Sequence, residues 1–87
     1  MKKLTPLASN MTEVYTSKGE YILFSYSTPV AGQDKEGFFK TDRWYSTTTT
    51  RHINKYFNLE WQTDPETARE VPQEYINSLV WARLNTI

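Results

Sequence analysis

Cysteine is absent from the 87 residues, which removes disulfides, thiolate metal sites and a thiol nucleophile. Histidine occurs once, at His52, so imidazole-rich zinc sites are excluded and acid-base chemistry has few groups to draw on. A surplus of charge is missing as well. Ten Lys and Arg balance ten Asp and Glu, so net charge favours neither a nucleic-acid coat nor an anionic membrane. The longest apolar runs, Tyr21-Ile22-Leu23-Phe24 and Leu79-Val80-Trp81-Ala82, fall far short of the ~20 residues that cross a bilayer. Lys2 and Lys3 precede a segment too short and too polar to be the apolar part of an export signal, so a soluble chain in a reducing cytoplasm is expected. Glycine is scarce, and none of the three sits in a phosphate-cradling GxxxxGK[ST] or GxGxxG pattern.

What is plentiful is aromatic. Thirteen Phe, Tyr and Trp side chains in a neutral chain argue against disorder and for one small domain, residues 1–87, with an aromatic core. Residues 1–10 contain Pro6 and no periodic pattern, and read as an N-terminal arm. Three antiparallel strands are expected over about 12–17, 21–28 and 38–45, from alternating β-branched and aromatic residues between turn signals. Pro29 should stop the second strand, and Ala31 to Gly37 should form an exposed loop. The hydroxyl row Ser46 to Thr50 should cap a helix over about 48–58, whose stripe is Ile53, Tyr56 and Phe57. Asp64-Pro65-Glu66 can open a short helical turn, or Ala68 to Val71 can form a short fourth strand. Pro72 starts a second helix over about 72–84, with Tyr75, Ile76 and Leu79 on one face. The expected class is α+β, a three-stranded sheet covered on one face by two helices, with alternate residues such as Tyr21 and Leu23 on the open face.

Ser46, His52 and Asp42 could formally make a catalytic triad, but neither a nucleophile-elbow motif nor a glycine-rich oxyanion loop accompanies them, so no catalytic residue is expected. Scattered acids give no metal site, and no cofactor is implied. The free amides at the start of the first helix, with Thr48, Thr49 and Arg51 around them, suit a phosphate or carboxylate. Ordinary capping explains the same residues. Nucleic acid could meet an aromatic sheet of Tyr15, Tyr21, Tyr26, Phe39 and Trp44 flanked by Lys40, Arg43, Arg51 and Lys55, though a neutral chain forgoes much of the counterion-release term. Trp81 lies ~200° around its helix from Leu79, away from the core stripe, and with Leu84 would mark an oligomer or partner surface unless something covers it.

The stretches Leu4 to Val14, Ile22 to Ala31 and Trp44 to Tyr56 resemble a family of short proteins encoded by tailed bacteriophages, with a further likeness at Val71-Pro72-Gln73. What the resemblance implies is a phage accessory protein acting in the host bacterial cytoplasm; it carries no site residues. The expected function is therefore non-enzymatic binding of a host or phage protein, such as a defence or metabolic factor that is inhibited. Trp44, Trp81 and Tyr21 are the expected contact residues, because large amphipathic side chains dominate interface energetics. A nucleic-acid binder is the alternative, and a binder of a phosphate-containing small ligand comes third.

Overall fold

The computed structural model describes residues 3–84, and side chains over residues 5–80. Its centre is a six-stranded mixed sheet with strands in sequence order: β1 (Lys3–Ala8), β2 (Met11–Tyr15), β3 (Tyr21–Ser25), β4 (Thr28–Asp34), β5 (Gly37–Thr41) and β6 (Arg69–Val71). The first five form an antiparallel meander. β6 runs parallel to β5, as a strand reached by a crossover can, and the crossover holds α1 (Thr47–Lys55), a π-helical turn (Tyr56–Glu60) and a 3₁₀ turn (Pro65–Thr67). After β6 comes α2 (Gln73–Leu84).

Three expectations are corrected by this architecture. The sheet has six strands rather than three, because the stretch expected to be an arm pairs with β2 as β1, and the stretch expected to be a loop pairs as β4. The expected strand 21–28 breaks at Tyr26, whose φ of 57° turns the chain back on itself. The helices also lie on opposite faces. Successive residues of a strand point to opposite sides. Leu23 packs with Tyr56 and Phe57 from the α1 side, and its neighbour Ile22 packs with Ile76, Leu79 and Val80 of α2. Phe38 and Phe39 divide between the same two clusters.

Pro29 did not end the sheet because it stands beside an irregularity in the ladder. Leu23 pairs with Ala31 and Phe24 with Pro29, so Val30 is an extra residue, and Val30 and Ala31 both enter the α1-side core. The freed Pro29 carbonyl accepts a 2.7 Å hydrogen bond from Gln73 Nε2 of α2. Gly32 is required by crowding rather than by turning. A Cβ there would lie 2.0 Å from the Tyr21 carbonyl oxygen and 2.9 Å from Phe39 Cζ.

Polar contacts fix the helices to the sheet. The Tyr56 hydroxyl donates to Glu13 Oε2 at 2.7 Å. Burial raises the Glu13 carboxyl above its usual range, and burial with this acceptor pushes the Tyr56 phenol well above its own. On the α2 side, Asp34 of β4 accepts from the Tyr75 hydroxyl and from Arg69 Nη2 at 2.8 Å, which joins β4, α2 and β6. Burial pushes the Asp34 carboxyl up, but the Tyr75 hydroxyl, the Glu36 amide and Arg69 outweigh it and hold the group below the ordinary carboxylate range.

The crowding at Gly32 makes a contrast that can be measured. Gly32→Ala should cost about 3 kcal/mol of unfolding free energy in urea titrations. Gly37→Ala, at φ 113° with open space around it, should cost only about 1 kcal/mol from the backbone alone. Equal costs would show that the close approach at Gly32 is not what demands glycine.

Candidate functional site

One end of the sheet collects the residues with most exposed aromatic surface. Met11 pairs with Ser25 and Ser25 with Thr28, so the β1–β2 and β3–β4 turns lie together, and the Tyr26 amide donates to the Asn10 carbonyl at 2.8 Å. β5 runs antiparallel to β4 and leaves the sheet toward this same end. There the Arg43 amide bonds Thr41 Oγ1 at 3.1 Å and the Asp42 amide bonds the Val71 carbonyl, which projects the following residues outward. Trp44 is 72% exposed and Tyr26 is 54% exposed. The Arg43 guanidinium sits 5.9 Å from the centre of the Tyr45 ring and makes a loose 3.9 Å ion pair with Glu74.

A chain of hydroxyls holds α1 beneath this end. Ser46 is the N-cap, and its Oγ accepts from the Thr49 amide at 3.1 Å. The Ser46 hydroxyl in turn donates to Thr49 Oγ1 at 3.3 Å, and Ser25 Oγ shares hydrogen bonds with Thr49 Oγ1 at 3.0 Å and with His52 Nδ1 at 2.7 Å. His52 is tied to β3 through Nδ1. Burial, and secondarily the Lys55 ammonium, lower its pKa from the ordinary imidazole value. The Tyr26 ring leans on the imidazole with centroids 5.7 Å apart. The histidine therefore ties helix to turn, and its partner is the buried Ser25 rather than Ser46 or Asp42.

The residues expected to contact a partner are scattered more widely than the sequence suggests. Trp44, Arg43, Thr48, Arg51 and Lys55 are exposed, and Thr48, Arg51 and Lys55 share the outer face of α1 at i, i+3 and i+7. Thr49 is buried, its hydroxyl spent on Ser25 and Ser46, so it does not join Thr48 and Arg51 around the helix end. Tyr21 is half-buried on the α1 face, edge-on to Trp61 at 5.1 Å and beside Tyr15 at 4.7 Å. The side chain of Trp81 lies outside the described residues. Phe39 is buried on the α2 face, and Tyr21 packs against Trp61 on the α1 face.

Ser25 and Trp61 were not among the candidates, and Tyr26 was named only as an aromatic of the sheet. Trp61 follows Phe57 by four residues, the spacing that would have placed it on the helix stripe. Nothing local in the sequence announces that Ser25 meets His52, 27 positions away.

A family model matches residues 2–78. The chain belongs to DUF8033, a family of unknown function. The span matched to DUF8033 includes Tyr26, Trp44 and His52, and ends within α2 before Trp81. Neither the curated proteins nor the solved structures contain a match. Among the described residues of this DUF8033 chain there is no group of His, Asp and Glu able to hold a metal ion, and no helix is long and apolar enough to cross a membrane.

The lowered pKa of the half-buried His52 sets a pH dependence. Its folded pKa lies below the unfolded value of about 6.5, so the unfolded chain binds the proton more readily and acid favours unfolding. Full stability from this group is expected above about pH 6.5, declining as pH falls below it. Urea midpoints at roughly pH 7.5 and 5.5 should differ in the wild type and converge in His52→Gln. An unchanged slope in the variant would place the titrating group elsewhere.

Proposed function

We propose that this DUF8033 chain is a small non-enzymatic accessory protein that works by binding another protein through the end of the sheet carrying Trp44 and Tyr26. The single observation that carries this is Trp44, which is 72% exposed. Such side chains are enriched at the centres of interfaces because their burial yields a large apolar gain together with one hydrogen bond. Tyr26 adds support. A left-handed backbone disfavours a bulky residue by about 1 kcal/mol, and glycine or asparagine would serve the turn better. An aromatic ring kept there despite that cost is accounted for by what it touches, His52 within the chain and a partner outside it. Arg43 and Arg51 supply cations near the same end. The resemblance of three sequence stretches to phage-encoded proteins makes a host bacterial protein, met in the cytoplasm, the favoured target.

A test is to use the full-length tagged chain as bait in bacterial lysate and to repeat any capture with purified components. Trp44→Ala should keep the wild-type circular dichroism and urea midpoint while weakening the purified interaction about tenfold or more. Retention of every captured protein at wild-type strength by folded Trp44→Ala and Tyr26→Gly variants would contradict this site.

One observation favours a second reading. α1 contains no carboxylate, and its exposed face presents Thr48, Arg51 and Lys55, which could contact phosphates of a nucleic acid without any use of the sheet. That reading requires salt-dependent DNA or RNA association that Arg51→Glu abolishes.

A further inference from the structure

The opposite end of the sheet holds a cleft of about 570 Å³, within the size range of small-molecule sites. Its rims are the β2–β3 turn, with Lys18, Gly19 and Glu20, and the β4–β5 turn, with Asp34, Lys35 and Glu36; Tyr75 and Leu79 of α2 form a wall.

Both rims are held rigid by their own side chains. Thr16 Oγ1 accepts from the amides of Lys18 at 3.3 Å and Glu20 at 3.1 Å and donates to Glu20 Oε1 at 2.9 Å, while Gly19 takes φ 84° to close the turn. Across the cleft, Asp34 Oδ1 accepts from the Glu36 amide at 2.8 Å. Each fixed turn carries one lysine. Rotation of the turns is thus already restricted before any ligand arrives, which lowers the ordering cost of binding.

The charges lining the cleft are not equally available. Asp34, its side chain 5% exposed, is occupied by Tyr75, Arg69 and the Glu36 amide; Glu36 pairs with Arg69 at 3.4 Å; Glu20 is buried against Thr16. Lys18 and Lys35 are exposed, and neither ammonium has an acid within 4.0 Å among the described residues. Asp34 and Glu20 are thus spent inside the protein and the exposed Glu36 carboxylate is paired with Arg69, whereas the two lysines on the rims are unpaired among the described residues. Beside them, Leu79 and the Tyr75 ring offer apolar surface.

We infer that this cleft binds a small organic anion, with its phosphate or carboxylate held by Lys18 and Lys35 and its apolar part laid against Leu79 and Tyr75. The site is at the far end of the sheet from Trp44, so it can exist whether or not the protein-binding end does.

Titration of the ¹⁵N-labelled full-length chain with phenyl phosphate, benzoate, inorganic phosphate and phenol tests the inference. Phenyl phosphate or benzoate should give saturable amide shifts centred on residues 18–20 and 33–36, and the arm that saturates first distinguishes phosphate from carboxylate. Inorganic phosphate and phenol should each bind at least about tenfold more weakly, because each offers half of the contacts. The Lys18→Glu/Lys35→Glu double variant, altered only at exposed positions, should lose saturation, and Trp44→Ala should titrate like the wild type. Non-saturating shifts with both organic anions up to roughly 10 mM would overturn the inference. So would a double variant that binds like the wild type, or phenol binding as tightly as the anions.

Discussion

Burial on both faces of the middle strands is the constraint on which the rest of the structure depends. Ile22 and Leu23, adjacent in β3, are each fully buried, and they face different cores. A sheet of this kind cannot leave one side open to water, so the chain has to supply a layer for each face from a small stock of apolar residues. α1 and its π-helical continuation provide one layer through Ile53, Tyr56 and Phe57; α2 provides the other through Ile76, Leu79 and Val80. The irregularities of β4 follow from the same demand. The extra Val30 directs two adjacent residues into the α1-side core, and the bare Gly32 lets Phe39 lie against the strand on the α2 side.

Once both faces are covered, the surfaces left for function are the two ends of the sheet and the outer faces of the helices. This explains why the functional candidates sit on turns and loops rather than on the sheet itself, as is usual for sites carried by a rigid framework. At one end Trp44 and Tyr26 project from turns that are anchored beneath by the Ser46, Thr49, Ser25 and His52 chain. At the other, two braced turns carry Lys18 and Lys35 around a cleft. The first end is tied to α1 through His52 and to the start of α2 through Gln73, and the second to α2 through Tyr75.

Much of the local structure was legible in the residues. The strands around 12–16, 21–25 and 38–41, the start of α1 in a row of hydroxyls, the Asp64-Pro65 turn and the helix after Pro72 all follow from short-range chemistry. The global layering was not, although a clue was present. Tyr21-Ile22-Leu23-Phe24 is a continuous apolar run, which marks a strand covered on both sides, whereas alternation alone suggests a strand with one wet face. β4 was hidden because Pro29, Ala31 and Gly32 read as loop residues; only contacts with Leu23, Phe39 and Gln73, distant in sequence, make them strand residues. Of the residues chosen by type as contact candidates, Trp44, Arg43, Arg51 and Lys55 are exposed. Thr49 and Tyr21 were misjudged because their neighbours come from other elements.

The two-faced sheet can be tested at the adjacent pair in β3. Ile22→Ala and Leu23→Ala should each lower the unfolding free energy in urea by about 3 kcal/mol, since each empties a different packed core. If one of the two substitutions costs less than about 0.5 kcal/mol, that face is not buried and the layered arrangement is contradicted.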